Sequence, residues 1–219
     1  HYRMDGNEAS KVRGLHAATL LAGRFNCEAG YIRAWNGEDI GLAIIDCMMN
    51  LPLLYWASEE TKDPRFKMIA MRHADTVCRH FVRPDGSVHH IVSFDPVTGE
   101  VLDTPRGQGY ASGSSWTRGQ AWAIYGFVLS YIHTGKQEYL ETAKRAAQYF
   151  IANLSEDGVP VVDFQAPNEP LLKDTTAGAI TACGLIEIMN QADVCVRGMY
   201  EEAIVKLLKG LERNCDFSL

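Results

Sequence analysis

Apolar positions recur at helical spacing along most of the chain, interrupted by three long polar stretches. Residues 1–8 read as the end of one helix and a short turn into another. Val12, Leu15, Leu20 and Leu21, with several alanines, predict a helix over 9–25. Residues 26–43 are irregular, with a β-like run at 31–35, and helix resumes over 46–60. Pro52 removes a backbone donor there, so a kink or a late start is expected. A tight turn at 61–64 leads into a helix over 65–82, with Pro64 well placed near its start. The second long stretch, 83–117, holds a strand-like run at 87–94 and a turn at 95–99. Helices over 119–133 and 137–153 flank another tight turn, 134–136; a third loop covers 155–174, and two last helices cover 176–191 and 198–213.

Short and long connections alternate, and the sequence repeats with them. Thr61, Lys62, Asp63 and Pro64, running on to Ala70, Arg72 and Ala74, match Thr134, Gly135, Lys136 and Gln137, running on to Ala143, Arg145 and Ala147. Both copies end in an Asp-Gly turn, at Asp85-Gly86 and Asp157-Gly158, and a weaker third copy runs from Asp5-Gly6 to Ala29-Gly30. The unit is helix, tight turn, helix, long loop. Such pairs bury their apolar faces only by stacking on neighbours. Closed on itself, the stack is an all-α architecture, an α/α toroid, with every long loop at one end beside the inner helix starts at Asp46, Gly119 and Thr176. An open solenoid is the alternative, but it leaves the long loops without a reason. Tyr125, Phe127, Tyr149 and Phe150 lie in helix interiors and read as core.

Composition narrows the partners. The chain has 219 residues, 47% hydrophobic and 22% charged, with a formal net charge of −6. That balance gives nucleic acid or an anionic membrane surface no electrostatic hold. The longest apolar runs are far too short to span a bilayer. Six cysteines, Cys27, Cys47, Cys78, Cys183, Cys195 and Cys215, form no C-x-x-C pair and no metal-ligand spacing, which reads as reduced thiols in a cytoplasmic protein with no metal and no cofactor.

Asp46 is the candidate acid. Its neighbours Ile44, Ile45, Cys47, Met48 and Met49 are apolar, and a carboxylate stripped of water by such groups is expected to hold its proton more tightly. The plainer alternative is a helix cap. The loops add Trp35; then His89, His90, Gln108, Tyr110, Trp116 and Arg118; then Asp163, Phe164, Lys173 and Asp174. Aromatic faces among hydrogen-bonding side chains suit a sugar ring. Trp35 and Trp116 read equally well as buried cover for the loops. His89 and His90 fall on opposite faces of a strand, so one of them at most enters a cleft. Arg118 sits at a helix start, where the dipole disfavours cations, and therefore calls for a partner such as Asp174 or Asp163.

Beyond composition and spacing, several stretches resemble glycoside hydrolase family 88. They are Gly-Tyr-Ile-Arg-Ala-Trp at 30–35, Ile-Ile-Asp-Cys-Met-Met-Asn-Leu-Pro-Leu-Leu at 44–54, Ser-Ser-Trp-Thr-Arg-Gly-Gln-Ala-Trp at 114–122 and Ile-Thr-Ala-Cys-Gly-Leu at 180–185. The resemblance implies part of an (α/α)6 barrel, with residues 1–219 as a single incomplete catalytic domain. It implies an enzyme that hydrates the C4=C5 vinyl ether of an unsaturated uronic acid at the non-reducing end of lyase-made oligosaccharides. Asp46 matches the family's general acid/base, Trp35 an aromatic that packs on the sugar, and His90, Gln108, Trp116 and Arg118 the positions lining the site. Gly107 and Ser112 depart from the family's usual polar residue and aspartate. The family also has a second essential aspartate in an earlier His-Asp motif and further helices beyond the seven counted here. Residues 1–219 alone are therefore expected to show no turnover and to leave apolar faces uncovered. An unsaturated rhamnogalacturonyl hydrolase and a non-catalytic carbohydrate-binding toroid are the alternatives. A helical scaffold for protein partners would need an apolar groove instead.

Overall fold

Where each helix begins and ends follows from a few residues. The computed structural model describes residues 2–167 and 169–214; Cys215, one of the thiols read above as reduced, lies outside them. After a single turn, α1 (Tyr2–Asp5), Asn7 accepts from Ser10 N at 2.9 Å and starts α2 (Glu8–Ala22). The expected helix to residue 25 stops short: Gly23 closes it, and Phe25 pairs instead with Ile32, joining the two-residue strands β1 (Phe25–Asn26) and β2 (Tyr31–Ile32). The helix expected over 46–60 also starts late. Pro52 lies in the first turn of α3 (Leu51–Thr61), where its missing N–H costs nothing, and the preceding Ile45–Met49 wind as a 3-10 helix. Asp63 caps α4 (Pro64–His80), accepting from Arg65 N at 2.9 Å.

The remaining helices are α5 (Thr117–Thr134), α6 (Gln137–Ala152), α7 (Thr175–Gln191) and α8 (Val194–Asn214). Consecutive helices pair as α3–α4, α5–α6 and α7–α8; α5 packs on the 3-10 helix and α3 on one side and on α7 on the other. The helices are thus an inner row (α3, α5, α7) and an outer row (α4, α6, α8) of an α/α toroid, as expected. Close approach along the inner row depends on glycine: a Cβ on Gly126 would stand 2.4 Å from Met48 Cβ, and one on Gly184 2.9 Å from Ile124. Ile45, Met48, Leu51, Leu54, Ile124, Phe127, Leu185 and Ile188 fill the core between them. Phe127 and Phe150 are buried as expected, whereas Tyr125 and Tyr149 are half-buried. Apolar residues stay exposed at the two ends of the arc, Met4, Val12 and Leu20 on one and Val194, Val205 and Leu208 on the other.

The long loops meet. Strand β3 (Leu42–Ile44), from the first loop, pairs antiparallel with β4 (Ile91–Phe94) of the second, and β4 pairs with β5 (Val101–Asp103). Trp116 at the end of the second loop forms an isolated bridge with Asp163 of the third. Three segments distant in sequence are therefore laced together over the starts of the inner helices.

Candidate active site

Sheet register brings the two central groups together. Ile44 lies opposite Ile91, and one step further Ile45 N donates to His90 O at 3.0 Å. Asp46, next in the 3-10 helix, consequently faces the His90 ring, with His90 Nε2 3.3 Å from Asp46 Oδ2. The distance is that of an ion pair, but the angle is not that of a hydrogen bond, and Oδ2 has no hydrogen-bond partner among the described residues. Ile44, not Asp46, occupies the cap position of the 3-10 helix. Only some of the apolar sequence neighbours of Asp46 are fully buried, and its Oδ2 is itself shielded from solvent. Ile45, Cys47 and Met48 turn into the core, where burial pushes the Cys47 thiol up to about 12, while the Asp46 side chain turns the other way and is 31% exposed. To the apolar neighbours expected from the sequence the structure adds an imidazole set against the carboxylate.

His90 is fixed from several sides. Its Nδ1 accepts from Gln108 N at 3.0 Å, so the neutral ring carries its proton on Nε2, toward Asp46. Its ring packs on Trp116 with centroids 4.4 Å apart. Gly107 lies so close that a Cβ there would stand 1.9 Å from Nδ1. Trp116 is buried and rests on the first turn of α5, where a Cβ on Gly119 would stand 2.9 Å from its ring. His89 enters a different contact, its N–H donating to Phe81 O at 2.9 Å, while burial lowers the affinity of its ring for a proton.

Arg118 lies over Trp116, 5.3 Å from the ring centroid, and directs Nε and Nη2 onto Asp174 Oδ2 at 3.0 and 2.9 Å. Asp174 in turn caps α7 through Ala177 N at 2.9 Å. Of the two partners expected for Arg118, Asp174 is the one found. Asp163 is buried and accepts only from the loops. Lys173 pairs with Asp157, and Phe164 packs edge-on against Tyr149 and Phe150. Gln108, Tyr110, Asp163 and Phe164 are among the residues lining a cavity of about 320 Å³ between the second and third loops. Trp35 is 47% exposed on the first loop, not buried as its alternative reading had it, and among the described residues it makes no ring contact with His90 or Trp116. Ser112, the other departure noted above, donates to Thr104 O at 2.9 Å.

Arg83 escaped the sequence reading. Just beyond α4, it donates to Ser87 Oγ at 2.7 Å, to Val88 O and Ser114 O at 2.9 Å each, and to Gly113 O, tying both ends of the second loop. An arginine after a helix carries no signal that marks such a clamp. Among the described residues no three His, Cys, Asp or Glu side chains converge as a metal site. Nor, among the described residues, is any helix long and apolar enough to cross a membrane.

No protein-family model matches the chain. It is 46% identical over 195 residues to an unsaturated glucuronyl hydrolase of Bacillus sp. (strain GL1), covering 87% of this chain and 52% of that protein. It is 37% identical over 215 residues to an unsaturated chondroitin disaccharide hydrolase of Streptococcus pyogenes, covering 94% and 53%. Among solved structures, an unsaturated glucuronyl hydrolase from Streptococcus agalactiae superposes with a TM-score of 0.93 at 32% identity, covering 100% of this chain and 56% of that one. The chain spans about half the length of the curated relatives it matches.

Proposed function

The chain belongs to the unsaturated glucuronyl hydrolases of glycoside hydrolase family 88, and from that premise we propose that its protein releases an unsaturated uronic acid from the non-reducing end of oligosaccharides. A variant of the Streptococcus agalactiae enzyme solved with dGlcA-GalNAc6S supports this substrate class. Residues 1–219 then form part of one catalytic α/α domain.

In this reading Asp46 gives a proton to C4 of the C4=C5 double bond. Its carboxylate then takes a proton from the water that attacks C5, so one proton is given and one recovered. The product is a hemiketal at C5. It opens to a ketone, which leaves a hemiacetal at C1 that expels the remaining sugar as an alcohol. His90, with its proton on Nε2, steadies the charged form of Asp46 between the two transfers. Trp35 and Trp116 offer aromatic faces, and Gln108 a hydrogen-bonding side chain. The N–H groups of Arg118 not engaged by Asp174 are available to the substrate carboxylate. No metal or cofactor has a step in this scheme. The free thiols of Cys27, Cys47, Cys78, Cys183 and Cys195 support a reducing, cytoplasmic setting.

The observation that carries the reading is Asp46 Oδ2, without a hydrogen-bond partner among the described residues, 3.3 Å from His90 Nε2, the nitrogen to which the bond at Nδ1 assigns the proton of the neutral ring. Asp46→Asn keeps the shape and removes the transferable proton. Decay of the ultraviolet absorbance of the conjugated double bond is expected to slow by at least about a hundredfold, with substrate affinity by equilibrium dialysis little changed. Wild-type rates in this variant would sink the assignment.

A further inference from the structure

Asp163 is a carboxylate on the third loop, only 2% exposed, with no cation paired to it among the described residues. A buried charge persists only when hydrogen bonds replace its water. Here both oxygens are filled. Oδ2 accepts from Ser114 Oγ at 2.6 Å and Tyr110 N at 3.0 Å; Oδ1 accepts from Ser115 N at 3.2 Å and Gln165 N at 2.9 Å. Three of the four donors belong to the second loop, the one that carries His90 and Trp116. The approach is close: a Cβ on Gly109 would stand 2.8 Å from Asp163 Oδ2. Gly109 separates Tyr110, whose N–H binds Asp163, from Gln108, whose N–H binds His90 Nδ1.

We infer that Asp163 is a positioning residue for the reaction: from the third loop it holds the backbone at 107–110 so that Gln108 N–H meets His90 Nδ1, which keeps the ring proton on Nε2 facing Asp46. The inference rests on the reading of Asp46 as the acid. It adds a residue that makes no contact with Asp46 and acts on the reaction through the backbone that holds His90.

The chemistry of the four bonds selects the variant. In Asp163→Asn the amide oxygen can take the Oδ1 place and keep both backbone donors there. Its NH2 then faces Ser114 Oγ, a hydroxyl able to turn and accept, and Tyr110 N–H, which is not. One bond is lost, the one nearest Gln108. We expect kcat to fall about tenfold with KM within about twofold. The ring nitrogens of His90, followed by 15N NMR without substrate, should move from a fixed Nε2–H tautomer toward a mixture. Ser114→Ala removes the hydroxyl that donates to Asp163 and accepts from Ala111 N but leaves the Tyr110 N–H bond to Asp163 in place, and should shift the same signals less, with a smaller fall in kcat. It decides the question if Asp163→Asn loses its thermal unfolding transition. A fall in kcat with unchanged His90 signals would reduce Asp163 to loop architecture and overturn the inference, as would wild-type kcat with unchanged signals. Because the tautomer is read without substrate, failure here is separate from failure of the Asp46 assignment, which Asp46→Asn tests.

Discussion

His90 is constrained by a residue that has no side chain. A Cβ on Gly107 would stand 1.9 Å from His90 Nδ1 and 2.6 Å from Cε1, distances no real contact tolerates. In Gly107→Ala either the ring leaves Trp116 and Asp46 or the 107–108 backbone withdraws its N–H from Nδ1. Both outcomes misplace the Nε2 proton. Steady-state kinetics should show kcat lowered about tenfold or more, with a thermal midpoint close to wild type because Gly107 lies on a half-exposed loop. An unchanged kcat would mean that the His90 position is not needed. The sequence made Asp46 and the aromatic loops legible because a single carboxylate stands out in an apolar run, and indole and imidazole stand out in polar loops. The contact between Asp46 and His90 was not legible, because it is sheet register that brings the ring within 3.3 Å of the carboxylate. The role of Asp163 was hidden because its donors are mainly backbone N–H groups, which every sequence has.

Among the elements, the repeat was legible because each copy carries the same two kinds of turn. The structure adds why the Asp-Gly turns recur. Gly86 has φ +89 and a Cβ there would stand 2.6 Å from Arg145 O on α6; Gly158 has φ +76 and its Cβ would stand 2.2 Å from Lys206 O on α8. The weaker copy follows suit, with Gly30 at φ +71 seated against Thr76 Oγ1 and Arg72 O of α4. Each glycine is the place where one unit rests on the outer helix of the next. Gly135 has a similar φ, +71, with nothing within 4 Å of its missing Cβ. Gly135→Ala should therefore show the backbone cost alone, about 1 kcal/mol, whereas Gly158→Ala adds a clash between units and should cost about 1–3 kcal/mol more. Paired thermal unfolding curves measure the difference, and equal losses would show that the turn does not fasten the units. Helix ends were less legible: the late start of α3 and the early stop of α2 are set by Pro52 and Gly23 acting against longer apolar runs.

Across the whole molecule, loops and helices are fastened through buried polar groups, and one of them makes the fold acid-sensitive. His73 on α4 is fully buried, and its Nδ1 accepts from Ile32 N at 3.0 Å, joining the first loop to the outer row. Burial pushes its pKa from 6.5 down to about 3. An unfolded chain takes up a proton at this imidazole below 6.5, while the folded chain does not until about 3. The stabilisation from His73 is therefore whole above 6.5 and is lost as pH falls through that window, by roughly 1.4 kcal/mol per pH unit once the unfolded group is charged. His80 and His89 are also shifted down by burial and add slope of the same sign. Asn at 73 can offer its amide oxygen near the place of Nδ1, yet it does not titrate. His73→Asn should lower stability at neutral pH, where a smaller side chain leaves a void, and flatten the acid limb by one proton. Denaturant unfolding of both proteins at pH values from 6.5 toward 3 gives the two slopes, and parallel slopes would show that His73 is not the buried neutral group the fold requires.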